Sequence, residues 1–291
     1  MDLKIQEAQI APAMTQNNSI SGHWLIVSDL DGTLLDHYDY SHGPVDDLLR
    51  RLELRQTPVI LNSSKTLPEM LELRRQLHNR HPFIVENGSA VFIPADYFPE
   101  MPDCARERDE FWVIETGVPR GQLLEFLQAD AAEHDAPYLS FARASCEEIV
   151  DATGLTPEQA LAAQRRDYSE PLLWRGSEEE KQAFVSRVSA AGLSTLQGGR
   201  FLHLLGTTDK GGATLKLMEC YRNYRDTDYR LIAAGDSPND LDMLRVADIA
   251  VIIRAPHRQP PQLQARAGQR VIVSDAVGPE GWRETIGQLF P

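Results

Sequence analysis

The chain has 291 residues, of which 42% are apolar and 25% charged, the composition of an ordinary soluble globular protein. Asp and Glu number 43 against 29 Lys and Arg, so the formal net charge is −14. This charge disfavours nucleic acids and anionic membranes as partners, because both bind clustered Lys and Arg. The sequence has no run of about 18 apolar residues that would span a membrane and no signal-peptide pattern. We therefore expect a cytoplasmic protein with a flexible N-terminal leader over residues 1–22.

Strand-type and helix-type segments alternate after this leader. Short apolar runs predict strands at residues 24–30, 57–62 and 83–87. Between them, an apolar stripe predicts a helix over residues 44–55, and a capping box at Thr66 begins a second helix. This alternation is typical of a parallel sheet with helices on its faces.

The alternation is interrupted in the middle of the chain, where strand and helix signals follow each other in mixed order. The predicted elements are a strand at 111–115, a helix at 119–134, a helix from a capping box at Thr156, a strand at 171–175 and a helix from a capping box at Ser177. We interpret residues 95–198 as an inserted α+β cap domain.

The alternation returns towards the C-terminus. The predicted elements are a helix at 210–221, a strand at 230–236, a helix at 237–246, strands at 248–253 and 270–275, and a last helix near Pro279. The predicted fold is therefore α/β, with a Rossmann-like parallel-sheet core assembled from residues 23–94 and 199–291 around the inserted cap.

Two acidic pairs lie where predicted strands end. Asp29 and Asp31 follow the first strand, and Asp236 and Asp240 follow a later one. The carboxyl ends of parallel strands are where ligands bind in such sheets. Clustered carboxylates repel each other, and Mg²⁺, which prefers oxygen ligands, relieves that repulsion. A carboxylate can also attack phosphorus and form an acyl phosphate.

Two further segments offer groups that bind phosphate. The sequence Ser63-Ser64-Lys65-Thr66 follows the second strand, and Lys210 lies at a predicted helix start. Phosphoryl transfer depends mainly on positioning and charge neutralisation, which hydroxyls and ammonium groups supply. Taken singly, each segment is also explained as a turn or a helix cap. Their common placement at strand ends and helix starts favours one active site.

In this order, the segments SDLDGTLLD, SSKT, DKG and GDSPNDLDML resemble the four motifs of the haloacid dehalogenase superfamily of aspartate-nucleophile phosphatases. The resemblance covers the chain from about residue 23 onward and implies a core of haloacid dehalogenase type. The implied catalytic residues are Asp29 as nucleophile, Asp31 as general acid/base, and Ser63 and Lys210 as phosphoryl ligands. The implied Mg²⁺ ligands are Asp29, the backbone carbonyl of Asp31, and Asp236, with Asp240 in support.

Within this superfamily, the predicted cap resembles that of the sugar phosphatases, and several segments resemble the mannosyl-3-phosphoglycerate phosphatase family. These are SSKT, ENGS (86–89), DATGL (151–155), RDYSEP (166–171) and GRFLH (199–203). The resemblance implies hydrolysis of mannosyl- or glucosyl-3-phosphoglycerate to the glycosylglycerate, a compatible solute, and phosphate. The alternatives are a broad sugar-phosphate or sucrose-phosphate phosphatase, a phosphomutase or other transferase, and a phosphate-binding module without activity.

Such a substrate carries a carboxylate as well as a phosphate, so we expect the cap to supply cations and hydrogen-bond donors. The candidate substrate-binding residues are Lys65, Asn87, Arg166, Glu170, Arg200, Ser237 and Asn239. Arg166 is also explained as a solvated residue paired with Glu170. His203 fits either a sugar contact or an ordinary strand histidine. The expected partner is a small phosphoester, bound by a monomer or homodimer.

Overall fold

The computed structural model of the protein describes residues 20–198, 200–225 and 227–291, so the predicted leader lies almost wholly outside the described residues. The strands are β1 His23–Ser28, β2 Val59–Asn62, β3 Phe83–Val85, β4 Ala90–Pro94, β5 Arg106–Arg108, β6 Phe111–Glu115, β7 Tyr138–Ser140, β8 Ser169–Trp174, β9 Ser194–Gly198, β10 Phe201–Leu205, β11 Tyr229–Gly235, β12 Ile249–Arg254 and β13 Arg270–Val277. The helices are α1 Asp46–Leu54, α2 Leu67–Gln76, α3 Arg120–Glu133, α4 Cys146–Thr153, α5 Pro157–Gln164, α6 Glu178–Ala190, α7 Lys210–Tyr224, α8 Leu241–Val246 and α9 Gly278–Leu289. Among these helices, none combines the length and apolar character needed to cross a membrane.

Nine strands form one large sheet in the order β13-β12-β11-β1-β2-β3-β4-β6-β5. The six strands from β13 to β3 run parallel, and β4, β6 and β5 follow β3 through three successive antiparallel pairings. The predicted α/β class with a parallel-sheet core is confirmed. Strand β1 lies between β11 and β2, so the loops that follow these three strands meet at one edge of the sheet.

Both faces of the large sheet are buried. Along β1, Trp24 and Ile26 pack with residues of α1, α2 and α9, whereas Leu25 and Val27 pack with residues of α7 and α8. Successive side chains of a strand point to opposite faces, so a strand covered on both sides is apolar throughout. This explains why the sequence showed apolar runs rather than alternation in this part of the chain.

A second sheet, with the antiparallel order β7-β8-β10-β9, lies in the middle of the chain. It packs against α3 and α6 through a separate apolar cluster that includes Leu123, Leu172 and Phe184. The pairing differs from the predicted division of the chain, because β6 joins the large sheet and β10 joins the small one. The domain boundaries 23–94, 95–198 and 199–291 stay a prediction. From the strand pairing, we propose that the cap comprises residues 116–209, hereafter the cap region.

The capping boxes predicted at Thr66, Thr156 and Ser177 are all formed, and each begins a helix at the next residue. The same signal, Ser145 with Glu148, begins α4, which the sequence analysis did not predict. Strands β4 and β5 were also not predicted. Strand β4 pairs antiparallel with β3 and β6, and β5 pairs antiparallel with β6. These short antiparallel strands at the end of a parallel sheet depart from the alternation on which the prediction was based.

Gly88 holds the end of β3 close to the start of α7. Its backbone has φ +91°, and a Cβ atom added there would lie 2.1 Å from the carbonyl oxygen of Asp209. Only glycine satisfies both the left-handed conformation and this close approach. Because Asp209 precedes Lys210, Gly88 fixes the position of a predicted catalytic residue.

We predict that Gly88→Ala lowers the free energy of unfolding by roughly 2–4 kcal/mol, because backbone atoms must move to accept the methyl group. The matched control is Gly121→Ala in α3, where an added Cβ meets no atom within 4 Å and φ is not positive. Urea unfolding monitored by circular dichroism gives both values. Equal stability of the two variants would contradict this account of Gly88.

Candidate active site

Three buried carboxylates meet at the carboxyl edge of the large sheet. Asp29 follows β1, Asp236 follows the adjacent parallel strand β11, and Asp240 lies one turn further along the chain. The amide of Asp29 donates a hydrogen bond to the carbonyl of Ala234 at 2.9 Å, which joins the two strand ends. One carboxylate oxygen from each of the three residues lies within 4.8 Å of the other two. The structure thus brings together three of the four predicted metal-binding residues through their side chains.

The ammonium of Lys210 lies between two of these carboxylates. Its Nζ is 2.5 Å from Oδ1 of Asp29 and 2.7 Å from Oδ1 of Asp240, and the side chain is 1% exposed. Lys210 is the first residue of α7, where Asp209 caps the helix by accepting a hydrogen bond from the amide of Gly212 at 2.7 Å. The motif DKG therefore supplies both the helix cap, Asp209, and the buried cation, Lys210.

Asp240 is fixed by the turn in which it lies. Its Oδ2 accepts hydrogen bonds from the amides of Asp236 and Ser237 at 3.1 and 3.0 Å and from the Ser237 hydroxyl at 3.0 Å. The Ser237 hydroxyl also contacts Asn239. Ser237, a predicted substrate ligand, is thus engaged within the turn, and Asp240 has one oxygen left, which contacts Lys210.

Arg258 also contacts the carboxylate cluster, although the sequence analysis did not select it. Its Nη2 lies 2.6 Å from Oδ2 of Asp236. Arg258 is on the loop after β12, 22 residues from Asp236, and no local motif marks it. In the same loop, His257 is 2.6 Å from the hydroxyl of Tyr38, so two loops flank the acidic cluster together.

The electrostatics of this cluster favour a bound cation. Burial and the nearby charges of Asp240 and Asp236 raise the pKa of Asp29 to about 8, although Lys210 acts to lower it. Burial and the charge of Asp240 also raise the pKa of Asp236 to about 6. When all three carboxylates of the described cluster are ionised, they outnumber the two cationic side chains that contact them. A converging set of oxygen ligands with surplus negative charge fits Mg²⁺.

Asp31 lies on the more open side of the site. Its side chain is 36% exposed and accepts a hydrogen bond from Nζ of Lys65 at 2.9 Å. Burial acts to lower the pKa of Lys65, but the charges of Asp31 and Glu69 outweigh it and raise that pKa. Lys65 Nζ also lies 4.8 Å from the ring centre of Tyr40. The two aspartates of the first motif thus have different surroundings and different cationic partners.

Ser63, a predicted phosphoryl ligand, is held by backbone contacts on both sides. Its amide donates to the carbonyl of Ile84 at 3.1 Å, and its side chain accepts a hydrogen bond from the amide of Lys65 at 3.3 Å. The adjacent Asn62 donates from Nδ2 to the carbonyl of Lys210 at 3.1 Å. This bond joins the end of β2 to the start of α7, the elements that carry Ser63 and Lys210.

The predicted cap ligands are largely engaged within the protein. Both carboxylate oxygens of Glu170 are bonded, one by the amide of Ala142 at 2.7 Å and the other by Arg120 at 2.6 Å, so its partner is not Arg166. His203 is buried, and burial together with the charge of Arg166 lowers its pKa to about 3. These contacts give Glu170 a structural position, and its role in substrate binding stays a prediction.

A cavity of roughly 370 Å³ adjoins Lys210 between the large sheet and the small one. Its polar lining includes Asn87, Thr195, Thr207, Thr208 and Asn239. Asn87 is 2% exposed, and neither its Oδ1 nor its Nδ2 has a hydrogen-bond partner in the structure. Buried amides normally have partners, so this side chain is suited to a ligand. Arg200, by contrast, lies at the surface and donates to the carbonyl of Ala152 at 2.7 Å.

Comparison with known proteins agrees with this geometry. Residues 26–98, which include the first two motifs, match the family of haloacid dehalogenase-like hydrolases. Over this segment, the chain is similar to that family. The matched segment contains Asp29 and Asp31, and the remaining two motifs complete the cluster described above.

Solved structures of similar proteins share the fold over almost the whole chain. A protein from Thermoplasma acidophilum is 19% identical, with a TM-score of 0.64, over 92% of this chain and 98% of the other. The sucrose-phosphatase from Synechocystis, solved with sucrose and phosphate, is 15% identical, with a TM-score of 0.56, over 92% and 98% of the two chains. A phosphatase of the haloalkanoate superfamily from Bacteroides thetaiotaomicron is 14% identical, with a TM-score of 0.56, over 84% and 88%.

We predict that Lys210→Met lowers the free energy of unfolding by roughly 3 kcal/mol, because it leaves two buried carboxylates without their cation. Lys216→Met, at an exposed position of the same helix, is the control and should change stability little. Urea unfolding in the presence of a chelator measures both. A loss of stability no larger for Lys210→Met than for Lys216→Met would show that the Lys210 contacts do not stabilise the fold.

Proposed function

We propose that the protein is a phosphatase that hydrolyses a small phosphomonoester through a phospho-aspartate intermediate on Asp29. The observation that carries the proposal is that the two carboxylates of the first motif, Asp29 and Asp31, have different surroundings. Asp29 is buried against the Lys210 ammonium, whereas Asp31 is partly exposed and hydrogen-bonded to Lys65. One carboxylate is placed to attack, and the other is placed to exchange protons with a leaving group or water.

Each residue then has a chemical task. An oxygen of Asp29 attacks phosphorus, the bond from phosphorus to the ester oxygen breaks, and Asp31 donates a proton to that oxygen. Asp31 next removes a proton from water, which attacks phosphorus, releases phosphate and restores Asp29. The Ser63 hydroxyl and the Lys210 ammonium hold the phosphoryl oxygens and offset their charge.

Mg²⁺ is the proposed cofactor. Asp29, Asp236 and the backbone carbonyl of Asp31 would hold it, with Asp240 in support through its contact with Lys210. When bound, Mg²⁺ supplies charge neutralisation at the phosphoryl oxygens. The support from the structure is the buried carboxylate set, in which negative charge exceeds positive charge.

We propose mannosyl- or glucosyl-3-phosphoglycerate as the substrate. The cavity beside Lys210 offers hydroxyl and amide groups to a sugar, and the unpartnered Asn87 amide is its most distinctive contact. The carboxylate of the substrate would bind near Lys65 and Arg200. Burial raises the pKa of Tyr40 in that region, and the charges of Lys65 and Arg200 oppose the shift. The cytoplasmic location and the monomeric or dimeric state stay predictions.

A broad sugar-phosphate or sucrose-phosphate phosphatase is the second candidate. It is favoured by the internal bonds of Glu170, a predicted sugar contact whose two carboxylate oxygens already accept hydrogen bonds from Arg120 and Ala142. It is also supported by the fold that the chain shares with the sucrose-phosphatase of Synechocystis.

We predict that phosphate release requires Mg²⁺ and is fastest with the glycosylated phosphoglycerates. The panel is mannosyl- and glucosyl-3-phosphoglycerate, 3-phosphoglycerate, sucrose phosphate and hexose phosphates, each with Mg²⁺ and with EDTA. Arg200→Ala should raise KM about tenfold for substrates with a carboxylate, through loss of one charge-assisted contact, and leave hexose phosphates unchanged.

Similar rates across the whole panel would favour the broad phosphatase and remove the narrow substrate proposal. No release from any compound, with or without Mg²⁺, would contradict the phosphatase proposal itself.

A further inference from the structure

The loop Ser63–Lys65 is held from behind by two residues at the end of β3. The amide of Asn87 donates to the carbonyl of Ser63 at 2.9 Å, and the amide of Glu86 donates to the carbonyl of Lys65 at 3.0 Å. The position of this loop, which carries the proposed phosphoryl ligand, therefore depends on the backbone of Glu86 and Asn87.

That backbone is strained. Glu86 and Asn87 have φ values of +48° and +59°, a left-handed backbone conformation that residues other than glycine rarely adopt. Such a conformation persists only where surrounding contacts hold it, and it is concentrated at functional sites. Contacts that fix the conformation of Glu86 therefore also help to fix the position of the Ser63–Lys65 loop.

The contacts that fix Glu86 come from the cap region. Its carboxylate is buried and accepts hydrogen bonds from the amides of Asp167 and Tyr168 at 2.9 and 3.2 Å and from the hydroxyl of Ser169 at 2.6 Å. All three donors lie at or just before the start of β8, more than 80 residues away in sequence. A carboxylate with three such donors is held firmly in one orientation.

Arg166 makes a second connection between the same two parts. Its Nη1 donates to the carbonyl of Ser64 at 3.1 Å and to the hydroxyl of Ser169 at 2.9 Å, and lies 3.8 Å from the Glu86 carboxylate. The guanidinium therefore joins the Ser63–Lys65 loop directly to the first residue of β8. Its Nε is buried without a hydrogen-bond partner in the structure.

We propose that Glu86 and Arg166 are positioning residues that couple the cap region to the Ser63–Lys65 loop, so that the cap fixes the phosphoryl-binding geometry. The inference rests on the proposed phosphatase function. It gives Arg166 a different role from the substrate contact predicted from the sequence, because its observed bonds go to the loop backbone and to β8. Neither residue touches the reacting atoms.

The test compares Glu86→Gln, Arg166→Met and Arg166→Lys with two substrates, p-nitrophenyl phosphate and 3-phosphoglycerate. Misplacement of a loop by about 1 Å costs up to about a hundredfold in rate, so we expect kcat to fall about ten- to hundredfold for both substrates with KM little changed. Arg166→Lys should recover part of the loss. The effects of Glu86→Gln and Arg166→Met should be less than multiplicative when the two are combined, since both act on one connection.

Asp130→Asn is the matched control. Asp130 is also a buried carboxylate of the cap region, but it lies on α3 and, among the described residues, its carboxylate pairs with Arg187 at 2.5 Å and not with the Ser63–Lys65 loop. The Asp130→Asn variant should be less stable than wild type but should keep the same kcat. If Glu86→Gln does not fold, Ser169→Ala removes one bond from each of Glu86 and Arg166 and should lower kcat several-fold by the same route.

Hydrogen exchange of peptides containing residues 63–65 provides a readout that needs no turnover. Exchange should be faster in Glu86→Gln and Arg166→Met than in Asp130→Asn, and this comparison holds even if wild type hydrolyses none of the esters. A wild type without activity would contradict only the proposed function. The coupling proposal would be overturned by unchanged exchange at the loop, or by an Arg166→Met variant that loses affinity for 3-phosphoglycerate alone while kcat for p-nitrophenyl phosphate is retained.

Discussion

The contact of the Lys210 ammonium with Asp29 and Asp240 is the interaction on which the rest of the site depends. Three acidic side chains are buried at one edge of the sheet, where each alone would be costly to ionise. Lys210 offsets part of that charge and holds two of the carboxylates in place. The remaining negative charge makes the site suitable for a divalent cation, and in the proposed function the same ammonium holds a phosphoryl oxygen.

The fold supports this contact from several sides. The parallel strands β1 and β11 bring Asp29 next to Asp236, and Asn62 joins the end of β2 to the backbone of Lys210. Gly88 permits β3 to approach the start of α7 within a distance that no other residue allows. The site is therefore set by long-range contacts between strand ends and one helix start, so it is sensitive to backbone changes well away from the carboxylates.

The core of the site could be predicted from sequence, because its residues lie in short motifs next to strongly apolar strands. Asp29, Ser63, Lys210 and Asp236 each follow a strand or begin a helix, and local signals are sufficient to place them. The contacts of Glu86 with residues 167–169 could not be predicted, since they join segments more than 80 residues apart. Arg258 lies on an exposed loop without a motif, so only the structure brings it to Asp236. Arg166 was one candidate partner for Glu170, because both lie in one short segment, but Glu170 pairs with Arg120 instead.

Because Asp29 is the proposed nucleophile, the turnover of Asp29→Asn should be compared with that of wild type and of Asp47→Asn, which changes an exposed aspartate of α1. We predict that Asp29→Asn lowers kcat by at least about a thousandfold, because the amide cannot form the acyl phosphate. The fold should be retained, since the side chain keeps its shape and can still accept a hydrogen bond from Lys210. Hydrolysis by Asp29→Asn at a rate close to that of wild type and of Asp47→Asn would contradict the account.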